Sequence, residues 1–472
     1  MFDISSALDT DSYKFGHPEM LPPGAQYMAS YGEARSDEMF NKSVYFGDQS
    51  WYHELKPVTR EDVEYARELA MPHCGIFPYE QWMDIVNRFG GNMPIQIDSL
   101  PEGMVVPNHN ALYQIRETAP GFAWLGQWVE AAKLRATWYP STVATLSWHI
   151  KHEDIMPFLV KTCDNPEEAI TFMVHDFGAR GVSSRESAAL GGMAHLVNFN
   201  GSDTLPGILA ARNYYGEKLA AFNIPAMEHS TVCAWGRENE AKAYSNAIAK
   251  FMRPGKMLSI PPDAYDLRHA IDVILGQELK DQILASGGRL VVRPDSGDPI
   301  AEIMYALRSL ANRFGYDTNK KGYDVLHPAV RIIAADGMKR TSVRSVLTAM
   351  EINGFSAENV AYGLGGGLLQ AVERDDLGYA QKANAVSSGH EGWIGISKDP
   401  VTARQKVSKK GLQMVVIEDN KIVTVPDGTF PPERNLLVPA WRDGQQLVEH
   451  KFSDVRARSN DMTYVRSGNG RY

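Results

Sequence analysis

Residues 290–310 read LVVRPDSGDPIAEIMYALRSL. The apolar run at 290–292 has strand character, and RPDSGDP breaks it with proline, glycine and charge. Asp298 then stands where a helix N-cap belongs, with Pro299 at the first helical position. Ile300, Ile303, Met304, Leu307 and Leu310 follow on one face of a helix. A strand, a charged turn and an amphipathic helix make one βα unit.

The same pattern repeats on both sides of this stretch. Short apolar runs stand at 172–174 before HDFGARG, at 196–197 before NFNGSD and at 257–260 before PPDAYD. Others stand at 330–334 before ADG and at 360–362 before GLGGG, where a helix is expected to start near Leu368. A further helix carries Val343, Val346, Leu347 and Met350 on one face, with Gly354 as its stop. Alternating strands and helices imply a parallel sheet with crossover helices. With six or more such units and nearly all the polar chemistry at strand ends, the expected fold is α/β, a distorted parallel barrel over residues 141–384. A doubly wound open sheet would also bind ligands at those ends and is the alternative. The flanks differ. Residues up to 140 mix helix with β-like stretches at 95–97, 104–106 and 112–115, and 413–417 and 422–425 flank a hairpin turn. A second mixed, β-rich domain built from 1–140 plus 385–472 follows.

Composition narrows the function. The 472 residues are 44% hydrophobic and 22% charged, the profile of a globular enzyme of two joined domains. A net charge of −9 argues against a nucleic-acid partner. Cys74, Cys163 and Cys233 are scattered and without metal-ligand spacing, which points to a reducing compartment. MFDISSALDTDSYK lacks the basic and apolar regions of a signal peptide, and no apolar run is long enough for a membrane span, so the expected location is cytoplasmic.

Charged residues cluster where the strands end. HDFGARG groups His175, Asp176 and Arg180; RPDSGDP offers Arg293, Asp295 and Asp298; AADG offers Asp336 and Gly337. GLGGG precedes a helix, where backbone N–H groups without side chains in the way suit a phosphate. A strand-end Asp also serves as a helix cap, and a glycine cluster also serves a tight turn. The stretch is neither a Walker loop nor a dinucleotide fingerprint, which disfavours phosphoryl transfer of that type and hydride transfer. In IPAMEHSTVCAWG, Glu228 and His229 stand beside Ser230 and Thr231, ahead of a helix expected from about Ala234.

HDFGARGVSS, LVNFNGSDT, PAMEHSTVCAWG, VVRPDSGDP, AADG and YGLGGGLLQ, in this order, resemble the nicotinate/nicotinamide phosphoribosyltransferase family, on its nicotinamide-using side. TDSYKFGH and KDPVTARQKVSKKG extend the match over almost the whole chain. The resemblance implies transfer of phosphoribosyl from phosphoribosyl pyrophosphate to nicotinamide, with Mg2+ and with ATP as a coupled co-substrate. It implies a homodimer with shared active sites.

By the same resemblance, the pyridine ring stacks between Phe177 and Tyr13 of the other subunit. Asp203 accepts from the carboxamide and repels a carboxylate acceptor. Arg180, Arg293 and Asp295 surround the pyridine, the ribose and the magnesium pyrophosphate, and Asp336 with Gly337 binds ribose hydroxyls. Gly365 and Gly366 form the 5′-phosphate loop, helped by Ser259. Arg374, Lys382 and Lys406 neutralise phosphates. His229 is the histidine that takes phosphate from ATP, and Asp263 is the acid that fixes its tautomer. Ala179, Ala335 and PPDAYD depart from the family pattern and bear on ligand affinity. Nicotinate phosphoribosyltransferase is the nearest rival, and Asp203 is the residue that separates the two. Quinolinate as acceptor would need more cationic partners. A catalytically silent nucleotide sensor need not keep Arg293, Asp295, His229 and Asp336 together, and nothing in the sequence supports a purely structural partner protein.

Overall fold

The computed structural model describes residues 4–400 and 407–463. The chain divides into two compact units: one of Met1–Thr145, Ala210–Lys218 and Val372–Tyr472, the other of Leu146–Leu209 and Leu219–Ala371.

The terminal unit is built on a seven-stranded sheet. Tyr27–Glu33 is the third strand of this sheet, antiparallel to Ala111–Glu117 on one side and to Ala380–Ser387 on the other. Because Ala380–Ser387 pairs there, the boundary expected at 384 moves back to 371. The insertion at 210–218 also belongs to this unit, where the Tyr215 ring stacks on Phe46 at 5.5 Å and its hydroxyl donates to Glu102 at 2.7 Å. The expected hairpin forms between Gln413–Glu418 and Lys421–Pro426. Its two turn residues, Asp419 and Asn420, both take positive φ, as a type I′ turn requires.

The second unit carries a six-stranded parallel sheet in the order Gly201–Ser202, Val174–Asp176, Val360–Leu364, Val330–Ala334, Arg289–Val292, Met257–Ile260. Its two edges meet through an irregular segment. Phe222 bridges in parallel to Gly201, and Ala226 bridges in parallel to Ser259. Followed from Val174–Asp176 through this segment, the strands succeed one another in sequence order around a ring. That is a distorted α/β barrel; a doubly wound sheet would reverse its order at a switch point.

The helix after the charged turn runs from Pro299 to Phe314, and the Asp298 carboxylate accepts from the Ala301 N–H at 2.8 Å. Ile303, Met304, Leu307 and Leu310 are buried in it, whereas Ile300 faces solvent. Three expectations need correction. The run at 196–197 only ends the helix Arg185–His195, and the strand is the two-residue Gly201–Ser202, too short to show an apolar run. The expected strand at 172–174 shifts to Val174–Asp176, leaving Phe172 exposed. The helix expected from Ala234 instead starts at His229, with Ala234 as its C-cap and a longer helix following at Glu240–Phe251. Among the described residues, no helix is long and apolar enough to cross a membrane.

Candidate active site at the strand ends

The segment that closes the barrel runs on into Glu228, the N-cap of the short helix His229–Cys233. His229 therefore sits at the helix start, where its Nε2 meets Asp263 Oδ1 at 3.0 Å. Asp263, just beyond the strand Met257–Ile260, is almost fully buried while the His229 side chain is 39% exposed. The other oxygen of Asp263 accepts from Ser296 Oγ at 2.6 Å and from the Asp295 N–H at 3.1 Å. Burial alone would raise the Asp263 pKa; Ser296, His229 and the Asp295 N–H outweigh it, so the carboxyl is held below the usual range.

The RPDSGDP turn continues this chain of contacts. Arg293 donates to Asp295 Oδ2 at 2.7 Å and to the Met227 carbonyl at 3.0 Å. A single connected set, His229, Asp263, Asp295 and Arg293, thus spans the ends of neighbouring strands. Asp336 is exposed and lines a small cleft with Ser296, Gly297, Glu302 and Met338, and Gly337 beside it takes φ +58°.

On the next strand ends, Phe177 is half-buried, its N–H donating to the Leu364 carbonyl at 2.8 Å. Its ring lies over Gly363, where an added Cβ would sit 2.2 Å from Cε2. Asp176 beneath it is buried; burial raises its pKa to about 6 although the Gly178 N–H donates to it at 2.7 Å. Burial also lowers the His175 imidazole to about 4, which keeps it neutral. The Asp203 N–H donates to the Asp176 carbonyl at 2.9 Å. Asp203 is exposed as a residue, yet the atoms around its carboxyl raise its pKa by desolvation, an effect that Arg293, the Asn223 amide and Arg180 only partly offset. Asn223 Nδ2 donates to Asp203 Oδ1.

The glycine loop divides in two. Gly367 is fixed by packing, since a Cβ there would lie 2.8 Å from the Met338 carbonyl oxygen. At Gly365 and Gly366 a Cβ would meet nothing closer than 3.5 Å, so packing leaves room in front of them. The helix they open, Gly366–Leu369, starts ahead of the expected Leu368. Ser259 is buried, and its Oγ has no hydrogen-bond partner among the described residues.

Not every expected residue lies in the barrel unit. Tyr13, Arg374 and Lys382 belong to the terminal unit, and Lys406 lies outside the described residues. Tyr13 is 65% exposed, its ring edge-on to His17 at 5.4 Å. Burial lowers the pKa of Lys382; Glu130 opposes the shift, and the positive charges of Arg35, Lys398 and Arg374 add to it. A basic cluster thus exists in that unit, of which sequence reasoning named only two members. Sequence reasoning also missed Asn223 and Ser296. Ser296 stood in a quoted motif without a role, and Asn223 carried no signal at all.

Set against known proteins, residues 172–433 match the family described as "Nicotinate phosphoribosyltransferase (NAPRTase) family", and residues 5–97 match "Nicotinamide phosphoribosyltransferase, N-terminal domain". A protein of Xanthomonas campestris pv. campestris named nicotinamide phosphoribosyltransferase is 42% identical over 462 residues, covering 96% of this chain and 97% of its own. One of the same name from Acinetobacter baylyi is 28% identical, with 97% of each chain covered. Two solved structures share the fold. The nicotinate-nucleotide pyrophosphorylase of Pyrococcus furiosus has a TM-score of 0.64 at 18% identity, covering 97% of this chain and 95% of its own. Human nicotinic acid phosphoribosyltransferase has a TM-score of 0.56 at 14% identity, covering 95% and 92%.

Proposed function

The chain belongs to the nicotinate phosphoribosyltransferase family, and from that premise we propose that it joins nicotinamide to phosphoribosyl pyrophosphate, giving nicotinamide mononucleotide and pyrophosphate. The observation that carries the choice of acceptor is Asp203, a carboxylate at a strand end. It accepts a hydrogen bond from a carboxamide and repels the carboxylate of nicotinate.

In this reading Phe177 stacks on the pyridine and aims its ring nitrogen at the anomeric carbon. The C–N bond forms as the C–O bond to pyrophosphate breaks, and the electron pair leaves with pyrophosphate. No protein nucleophile is needed. Arg293 and Arg180 balance charge around the sugar, Asp336 and Gly337 take ribose hydroxyls, and the N–H groups at Gly365 and Gly366 take the 5′-phosphate, with Ser259 as a helper. Among the described residues no cluster of three or more His, Cys, Asp or Glu forms a metal cage. Asp295 is the protein carboxylate that would hold a magnesium ion arriving with pyrophosphate. Such an ion would neutralise charge on the leaving group.

His229 receives phosphate from ATP. Because Nε2 is engaged by Asp263, Nδ1 is the nitrogen that attacks the γ-phosphorus, and ADP leaves with the bonding pair. Asp263 holds the Nε2 proton throughout. The protein acts as a cytoplasmic homodimer in which Tyr13 serves the other subunit's pyridine, and Arg374, Lys382 and Lys406 supply phosphate-neutralising charge.

The test offers the enzyme phosphoribosyl pyrophosphate, magnesium, ATP and an equal mixture of nicotinamide and nicotinate, and identifies products by mass. Nicotinamide mononucleotide should dominate. Asp203→Asn should lower kcat/KM for nicotinamide by about 10- to 100-fold, the worth of a charge-assisted hydrogen bond, and relax discrimination against nicotinate. A predominance of nicotinate mononucleotide with the wild type would overturn the acceptor assignment.

A further inference from the structure

The barrel is closed by a segment that forms no regular strand, and that segment is anchored on both sides. The Phe222 N–H donates to the Asn200 carbonyl at 2.9 Å, and the Ser259 N–H donates to the Pro225 carbonyl at 2.9 Å. Asn223 lies between these two anchors, so its backbone has little freedom. Its side-chain amide donates to Asp203 Oδ1. Asp203 is pinned at its own backbone by the Asp176 carbonyl, so the Asn223 amide fixes what remains: rotation of the carboxylate.

We propose that Asn223 is a specificity-determining positioning residue, which holds one oxygen of Asp203 and leaves the other presented to an N–H donor on the acceptor. The inference rests on the reading of Asp203 as the carboxamide acceptor. Two physical consequences follow. A carboxylate free to rotate would lose orientation toward a neutral amide. It would also lose a hydrogen bond that favours its charged form, in surroundings where desolvation already disfavours that form. The charged groups facing it are Arg293 and Arg180, which favour ionisation, and the Asp176 carboxyl, which opposes it.

Asn223→Ala should raise the KM for nicotinamide about tenfold, the value of one hydrogen bond to a charged group, with the KM for phosphoribosyl pyrophosphate and kcat changed less than about twofold. The acid limb of its kcat/KM profile for nicotinamide should move to higher pH. Asn223→Ser, which keeps a shorter donor, should recover part of the loss. Asn223→Asp, isosteric but anionic, should be worse than alanine. Asp203→Asn is measured beside them. If Asp203→Asn raises the nicotinamide KM while Asn223→Ala does not, the positioning role is overturned and the Asp203 reading stands. If Asp203→Asn leaves that KM unchanged, both fall. A parallel rise in the two KM values with a fall in kcat for Asn223→Ala would assign the residue to barrel closure instead.

Discussion

The ion pair of Lys133 and Asp48 in the terminal unit and the chain of His229, Asp263, Asp295 and Arg293 in the barrel unit use the same kinds of group to opposite ends. Lys133 is wholly buried and Asp48 nearly so. Lys133 pairs with Asp48 Oδ1, while Oδ2 accepts from Tyr45 at 2.6 Å, Ser99 at 2.7 Å and Tyr52 at 3.0 Å. The ammonium also lies 4.4 Å from the centre of the Tyr113 ring. Burial pushes the Asp48 pKa up, and Lys133 with the hydroxyls outweighs it, so the carboxyl stays charged. Every charge in this cluster is answered by the protein itself. In the barrel the same logic stops halfway. Asp263 is buried and doubly anchored, but the imidazole it holds opens to solvent. A charge network closed on itself maintains a fold, and one anchored at a single end offers the other end to a ligand.

That contrast can be broken most severely at Lys133. Lys133→Met leaves Asp48 buried without its cation, and breaking a buried pair costs about 3–5 kcal/mol, read as a fall in denaturant midpoint. A loss below about 1 kcal/mol would class the pair with exposed ones.

A second buried acid of the terminal unit sharpens the comparison through pH. Glu117 accepts from the Met28 N–H at 2.6 Å and the Gly126 N–H at 3.0 Å, and burial still lifts its pKa to about 8. In the unfolded chain it titrates near 4.5. Between these values the folded protein keeps a proton that the unfolded chain has released. The stabilisation is therefore full below the lower value and lost as pH rises toward the upper. Glu117→Gln should flatten this fall by up to about 3 kcal/mol between about pH 5 and about pH 8. Some slope should remain, because burial also raises Glu102 to about 7. An unaltered slope would show that Glu117 does not carry the effect.

The smallest effect on stability is expected at the open end. His229→Ala should shift unfolding by less than about 0.5 kcal/mol, since Ser296 and the Asp295 N–H still hold Asp263. On the proposed ATP coupling, labelled ATP should leave an acid-labile phosphate on the wild type and none on the variant. Persistent label in the variant would move the phosphate to another residue.

The sequence was legible where local chemistry decides the outcome. Asp298 and Pro299 start a helix because a carboxylate and a fixed φ suit its first turn, and Asp419 with Asn420 turns a hairpin because both tolerate positive φ. The strands Met257–Ile260 and Val330–Ala334 announce themselves by mainly apolar runs, interrupted only by Ser259 and Arg331. It was opaque where distant partners decide. Gly201–Ser202 is a strand only because Val174–Asp176 pairs with it, and residues 210–218 join the terminal unit through the Tyr215 contacts with Phe46 and Glu102. His229, Asp263 and Asp295 were nameable from motifs. The contacts joining them through Ser296, and the amide of Asn223, needed coordinates.

The pairing of Tyr27–Glu33 has a consequence for synthesis in the cell. Its inner partner, Ala111–Glu117, follows within the same early stretch of chain, but Ser387, opposite Tyr27 on the other side, comes some 360 residues later. At a translation rate of about 5–20 residues per second, that edge stands open on the ribosome for about 20–70 s. An open strand edge is a template for other nascent chains. The yield of soluble protein is therefore set in part by elongation speed and by holding chaperones, and slower translation lengthens the exposure.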